Sequence, residues 1–357
     1  MMLAHHLKVS LACGAAVTGA TVLARARHKR ALRILMYHGI LPSVEGPAVF
    51  GNLFLTTAAF ARQMAHVKQA FHVMALDDAV RMLETGGELP DRAVAITFDD
   101  GYRNTLTAAL PILRSLGIPA TVFLPAGLVG TEDLLWFDVL RVLVAKRAAE
   151  GKPVDLGIVL NGRGGSEPGA MFGECVMAIM NLASEDQERV IGELRSFSRR
   201  ADCCKRYPEF ALAGWEEWRG ALAEGLLNVG SHGMAHENLC DMTSDGRFHV
   251  LRQSKDRLER EFSRPCRAIA YPYGAWDEHV VEAAREAGFS IGVTTDEGLS
   301  SLATDRFRLH RTMVGDRGNF PLFCARVSGV TRWLRKGAAQ RPAASKAAMS
   351  LTRHAVA

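Results

Sequence analysis

Residues 93–102 read AVAITFDDGY, a run of strand-forming apolar side chains that ends in two adjacent carboxylates and a glycine. At neutral pH Asp99 and Asp100 repel each other, and burial at a strand end adds a desolvation cost to each charge. A cation gripped by one carboxylate offsets both costs and leaves the other free to act as a base. Farther along, NVGSHGMAHENL carries His232 and His236 four apart, directly after a second strand-like run. On one helical turn that spacing points both imidazoles at one metal. Two imidazoles and one carboxylate supply three protein ligands and leave a position for an activated water. Taken singly, Asp-Asp-Gly is an ordinary turn and His-x-x-x-His an ordinary solvated helix face. Their conjunction is what points to a hydrolytic metal centre.

Such residues need a frame that brings positions 99 and 236 together. Short β-type runs, RILMY (33–37), HVMAL (72–76), AVAITF (93–98), ATVFL (120–124), LNVGS (227–231), AIAY (268–271) and IGVTT (291–295), alternate with helical patterns. Among the latter, TTAAFARQMAHVKQAF, LTAALPILRSLG and DEHVVEAAREAG stand out, the last with Asp277 as N-cap and Gly288 as stop. The alternation predicts a mainly parallel sheet or barrel wrapped by helices, with functional residues at the C-terminal ends of the strands. Residues 130–215 break the rhythm with two long helical patterns and little strand signal beyond DLGIVL, and read as a helical insertion or lid.

TFDDGY, then SHGMAH, then YPYG, resemble the polysaccharide deacetylases with a NodB-homology domain, carbohydrate esterase family 4. The resemblance runs from ILMYHGI near residue 34 to about residue 315 and is weakest over 130–215. It implies an α/β fold, a distorted (β/α) barrel of the NodB-homology type, and divalent-metal hydrolysis of N-acetyl groups on amino sugars. Residue by residue it implies Asp99 as catalytic base, Asp100, His232 and His236 as metal ligands, and the Tyr273 backbone N–H as an oxyanion donor. His310, in RLHRTMV, is the expected acid that protonates the leaving amine. Zinc suits two imidazoles and a carboxylate, and cobalt, nickel or manganese suit the same donors. Two departures stand out. Ala270 occupies the position where many members carry an arginine that orients the base, so either another cation, such as Arg311 or Arg267, supplies that field or the base is less tightly held. Position 233 is glycine where a serine or threonine is usual. His38, after the first strand, reads as structural, and Tyr102 as packing. The competing functions are an amidase or deformylase acting on a small or lipid-linked sugar, and a carbohydrate-binding protein on this scaffold.

Of the 357 residues, 48% are apolar and 23% charged, enough to bury a large core. Residues 1–33 carry six basic residues and no acid, and so do residues 332–357; with those twelve set aside, 31 basic residues face 38 acidic ones. A nucleic-acid protein would place positive charge on the folded body, so no nucleic-acid partner is expected. The chain divides into a basic N-terminal segment (1–33), the domain (34–331) and a basic tail (332–357). The basic ends suit disordered tails or contact with an anionic membrane surface. Residues 9–24 are apolar but short of a span, and Lys8 before them is outnumbered by Arg25, Arg27, Lys29 and Arg30 after them. That order favours the cytoplasm or the inner face of a membrane, with export by a weak signal segment as the competing expectation. Seven cysteines without a C-x-x-C pair show no disulfide framework.

Overall fold

A computed structural model of the chain describes residues 20–28, 30–46, 48–155, 167–315 and 319–330. Its strands are β1 (Arg33–Tyr37), β2 (Gly39–Leu41), β3 (Phe54–Thr56), β4 (His72–Val73), β5 (Ala93–Phe98), β6 (Ala120–Leu124), β7 (Leu227–Ser231), β8 (Ala268–Ala270), β9 (Ile291–Val293) and β10 (Thr312–Met313). Eight of them form one sheet in the order β10-β1-β5-β6-β7-β8-β9, with β4 paired to the start of β5; β2 and β3 pair separately. All of these ladders are parallel. Every residue of β1, β5 and β6 is buried, as expected when both faces of a parallel sheet are covered.

The sheet curls, and a single extended segment joins its two edges. Leu309 pairs with Val293 of β9, and Thr312, three residues on, pairs with Leu35 of β1. Period-two alternation assigns the faces. Val94, Ile96 and Phe98 belong to the apolar cluster that includes Phe60 and Leu113 of the flanking helices. Ala93 and Ala95 share the other cluster with Ala268, Ala270 and Phe123. Inward-facing alanines leave room in the lumen, which a buried arginine fills. The architecture is the expected distorted (β/α) barrel.

The expected strands appear at their places, shortened at positions 74–76, 271 and 294–295, while β2, β3 and β10 were not anticipated from their two or three residues each. Of the run DLGIVL at 155–160, residues 156–160 lie outside the described residues. The insertion forms helices Trp136–Ala149, Pro168–Met180 and Ser184–Arg200. These build their own apolar cluster, which also takes in Phe50, Phe54 and Tyr273 of the barrel mouth. At the N-terminus, helix Ala20–Arg27 contacts helix Phe320–Ser328. Arg33, one of the six basic residues of segment 1–33, is buried and donates from Nε to Val327 O at 2.8 Å. No helix among the described residues is long and apolar enough to cross a membrane. Most of the two basic ends lies outside the described residues.

Candidate metal-dependent active site

At the end of β5 the amide of Asp99 continues the ladder by donating to Tyr37 O at 3.0 Å. The chain then turns sharply through two left-handed residues, Asp100 (φ 73°) and Gly101 (φ 75°). A side chain at 101 would stand 3.0 Å from Leu124 Cδ2, so the third residue of Asp-Asp-Gly is glycine for both conformational and steric reasons. Asp99 and Asp100, neighbours in sequence, thereby face different partners.

Asp99 points into the lumen with Ala93, Ala95 and Thr97, and there it meets Arg311. Nη1 and Nη2 of Arg311 each donate to one Asp99 oxygen at 2.7 Å, and its Nε donates to Thr294 O at 2.9 Å. Both side chains are buried. Burial pushes the Asp99 carboxyl up, but Arg311, His232 and His38 together outweigh it and hold the group below the ordinary carboxylate range. The missing cation at Ala270 is therefore supplied from the segment that closes the barrel. Arg267 is directed elsewhere, toward Glu84 at 3.6 Å.

Asp100 meets the two histidines. Its Oδ1 lies 3.5 Å from Nε2 of His232 and 3.5 Å from Nε2 of His236, and the three ligating atoms fall within 4.8 Å of one another. Donors each about 2.1 Å from a tetrahedral ion stand about 3.4 Å apart. The spacing thus fits a shared cation better than direct hydrogen bonds, and Asp100 Oδ1 is buried without a hydrogen-bond partner among the described residues. Burial opposes ionisation of Asp100, yet the surrounding imidazoles hold its carboxyl well below the usual range. His232 Nδ1 is 2.7 Å from Ala270 O. With the proton on Nδ1 donated to that carbonyl, the Nε2 lone pair faces the cluster. Burial pushes His236 down to about 3, so it stands neutral and ready to ligate.

The histidine pair sits on a turn, not on the helical turn that its spacing predicted. Gly233 (φ 75°) and His236 (φ 61°) bend the chain back so that both rings converge. Their centroids are 4.6 Å apart. The turn is held by Glu237, whose carboxylate accepts from the amides of Met234 (3.0 Å) and Ala235 (2.8 Å). A Cβ at 233 would lie 2.7 Å from Glu237 Oε2, so glycine at 233 makes way for that carboxylate. Asp100, His236 and Tyr273 (φ 59°) are three of the six non-glycine residues with positive φ among the described residues. Such strain gathers where the surroundings over-determine the backbone, as at functional sites.

The cavity over the cluster has a volume of about 20 Å³. Asp99, Asp100, His232, His236 and Tyr273 all line it. His310 does not. On an extended segment neighbouring side chains point to opposite sides, so the register that carries Arg311 to Asp99 turns His310 away, against Gly298. The additional imidazole in the cavity is His38, which had read as structural; burial lowers its pKa against the opposing pull of Asp100 and Asp99.

The insertion supplies the facing wall. The Phe137 ring lies 5.2 Å from that of His236, and Trp136 Nε1 donates to the Tyr273 hydroxyl at 2.8 Å. Tyr102 donates to Asp138 Oδ2 at 2.6 Å, so its role exceeds packing. Arg141 donates from Nη1 to Phe50 O at 2.7 Å. Burial pushes the Asp138 carboxyl up to about 7. Sequence reasoning passed over Asp138 and Arg141, although two charges three apart inside the apolar run WFDVLRVLV are themselves a sign of a buried polar face.

This chain belongs to the polysaccharide deacetylase family, whose family model matches residues 86–161 and 169–292, more than half of its length. It is 21% identical over 284 residues to the Bacillus subtilis protein YxkH, named as a polysaccharide deacetylase, covering 79% of this chain and 71% of that one. It is 20% identical over 283 residues to the poly-beta-1,6-N-acetyl-D-glucosamine N-deacetylase of Escherichia coli K12, covering 76% of this chain but only 35% of the longer enzyme. Among solved structures, IcaB from Ammonifex degensii superposes with a TM-score of 0.54 at 19% identity, over 84% of this chain and 97% of that one. The Streptococcus pyogenes deacetylase PplD in complex with acetate also gives 0.54, at 18% identity, over 80% and 93%. The family is metal-dependent, and the buried aspartate and two histidines are the donors that fit such an ion.

Proposed function

We propose that the chain hydrolyses N-acetyl groups from the amino sugars of a poly- or oligosaccharide, with Asp100, His232 and His236 holding a zinc ion. The observation that carries this reading is the juxtaposition of that buried cluster with Asp99, a carboxylate kept ionised and oriented by Arg311. A bound divalent cation supplies Lewis acidity toward a water and an amide carbonyl. The chain's own residues do the rest. Asp99 takes the proton of the attacking water, and Arg311 fixes the direction in which its lone pairs point. The Tyr273 backbone N–H, at the left-handed turn of YPYG, donates to the oxyanion. We assign to His38, the imidazole in the cavity outside the ligand set, the relay to the leaving amine of the proton that Asp99 takes from the water.

Acetate release from N-acetylglucosamine oligomers, beginning with the β-1,6-linked polymer named for the E. coli relative, tests the reading, with bound metal measured on the same sample. Asp99→Asn is expected to keep its metal and lose turnover by roughly 10²–10⁴-fold. Full activity in that variant would overturn the base assignment, and no acetate from any amino sugar would overturn the activity.

A further inference from the structure

Arg141 is a fully buried cation whose donors are not all used. Nη1 is taken by Phe50 O, but Nε and Nη2 have no hydrogen-bond partner among the described residues. The nearest carboxylate, Asp138, has its Oδ1 3.4 Å from Nε and out of hydrogen-bond alignment, and its other oxygen is held by Tyr102. Asp99 is engaged by Arg311, and Asp100 by the ligand cluster. Arg141 nonetheless lines the cavity with Asp100, His236, Phe137 and Tyr273. Its guanidinium lies 4.5 Å from the Phe172 ring centroid and 5.1 Å from that of Phe50, which fixes its plane.

Nε and Nη2 together form the edge of a guanidinium that grips both oxygens of an oxyanion. The same molecule shows that edge at work: Arg199 holds Asp133 through Nε at 2.9 Å and Nη2 at 2.8 Å, and Arg114 holds Glu224 through Nε at 2.8 Å and Nη2 at 2.6 Å. Asp138 offsets part of the buried Arg141 charge, but the Nε–Nη2 edge has no hydrogen-bonded acceptor among the described residues, a lack that a neutral hydroxyl relieves only in part. We propose that Arg141 binds an oxyanion carried by the substrate, a carboxylate or a phosphate on the amino sugar, and so selects acidic saccharides. The inference rests on the deacetylase reading for the position of the substrate, but not on turnover.

The test compares metal-loaded wild type, Arg141→Gln and Arg141→Lys on three substrates: a neutral N-acetylglucosamine oligomer, a carboxylated N-acetyl amino sugar and a phosphorylated one. The wild type is expected to favour one acidic substrate, and which one separates carboxylate from phosphate. In Arg141→Gln the acidic-to-neutral ratio of kcat/KM is expected to fall by about 30-fold or more. Arg141→Lys, which keeps the charge without the fork, is expected to recover part of that ratio. An unchanged ratio, or a wild type indifferent to acidity, overturns the proposal. Calorimetric binding of the same sugars to Asp99→Asn, with and without Arg141→Gln, separates the two readings. Tighter binding of the acidic sugar that disappears with Arg141 upholds the anion site even if no acetate is ever released, whereas equal binding overturns it.

Discussion

On one side of the cavity, Asp99, Asp100 and His232 sit just beyond the ends of parallel strands, each fixed by a ladder or by a left-handed turn directly after it. On the other side, Phe137 and Arg141 come from a single helix whose cluster is packed onto the barrel mouth. The strand-end side carries the groups to which the proposed chemistry is assigned. The helical side carries an aromatic wall and a cation, the groups we propose sort substrates. Strand ends are held by hydrogen bonds that no side chain controls, so they suit chemistry that tolerates little displacement. The helix is instead placed by docking onto an apolar cluster that it shares with the barrel mouth.

The comparison breaks if the two sides respond alike to truncation. His232→Ala removes a ligand and is expected to abolish metal retention and lower acetate release by about 10³-fold or more, as loss of both the ion and the water it activates implies. Phe137→Ala is expected to keep the metal and lower kcat/KM by roughly tenfold, about the 1.4 kcal/mol of a partly lost apolar contact. Metal content alongside acetate release distinguishes them; loss of the ion in Phe137→Ala would make the wall part of the metal centre.

Arg311 ranks next. Removing it as Arg311→Met leaves Asp99 buried without its partner, with an expected stability loss of about 3–5 kcal/mol and a fall in kcat of about 10²-fold. The pH profile gives the sharper signature. Arg311 helps hold the Asp99 carboxyl below its ordinary range, so its removal raises that pKa and protonates the base at higher pH. The acid limb of the kcat profile then moves to higher pH, and Arg311→Lys moves it part of the way back. A purely structural arginine would leave the limb in place.

The same logic separates the two imidazoles that flank the argument. His38→Gln, inside the cavity, is expected to lower kcat by at least tenfold with the metal retained, and His310→Gln, facing Gly298, by less than about threefold. The reverse order would return the proton-donor role to His310.

The strand-end side was legible because its residues come in short local signatures, TFDDGY and SHGMAH, whose spacing is set by backbone geometry. Even there the reading was incomplete: His-x-x-x-His suggested a helical turn, and only the left-handed residues reveal how a tight turn converges the two rings. Arg311 was legible as an alternative, since a carboxylate base needs a cation when position 270 is alanine, but its selection over Arg267 depends on the segment that joins β9 to β1. His310 differs from Arg311 by one residue of strand alternation, which turns it away from the cavity. Nothing local identifies Phe137 or Arg141 as cavity residues, because their nearness to His236 arises from the docking of the inserted helix, a tertiary event without a sequence period. The exception is the pair of charges in WFDVLRVLV, which marks a buried polar face without saying what it faces.

The remaining prediction concerns that pair and is read in stability. Burial raises the Asp138 carboxyl from the ordinary carboxylate range to about 7 in the folded chain. A group whose folded pKa exceeds its unfolded value binds more protons in the native state over the interval between them, so stability falls as pH rises through that interval. Asp138→Asn removes the titration and retains an oxygen for the Tyr102 hydroxyl. Urea denaturation of wild type and variant from pH 4 to pH 8 is therefore expected to show the wild type losing stability relative to Asp138→Asn as pH rises toward 7, the difference levelling off above it. If wild type instead gains on the variant over that range, Asp138 is ionised and firmly paired with Arg141. The cation would then be compensated from within its own helix and have no charge to offer a substrate, which ties the last difference between the two sides of the cavity to a single carboxyl proton.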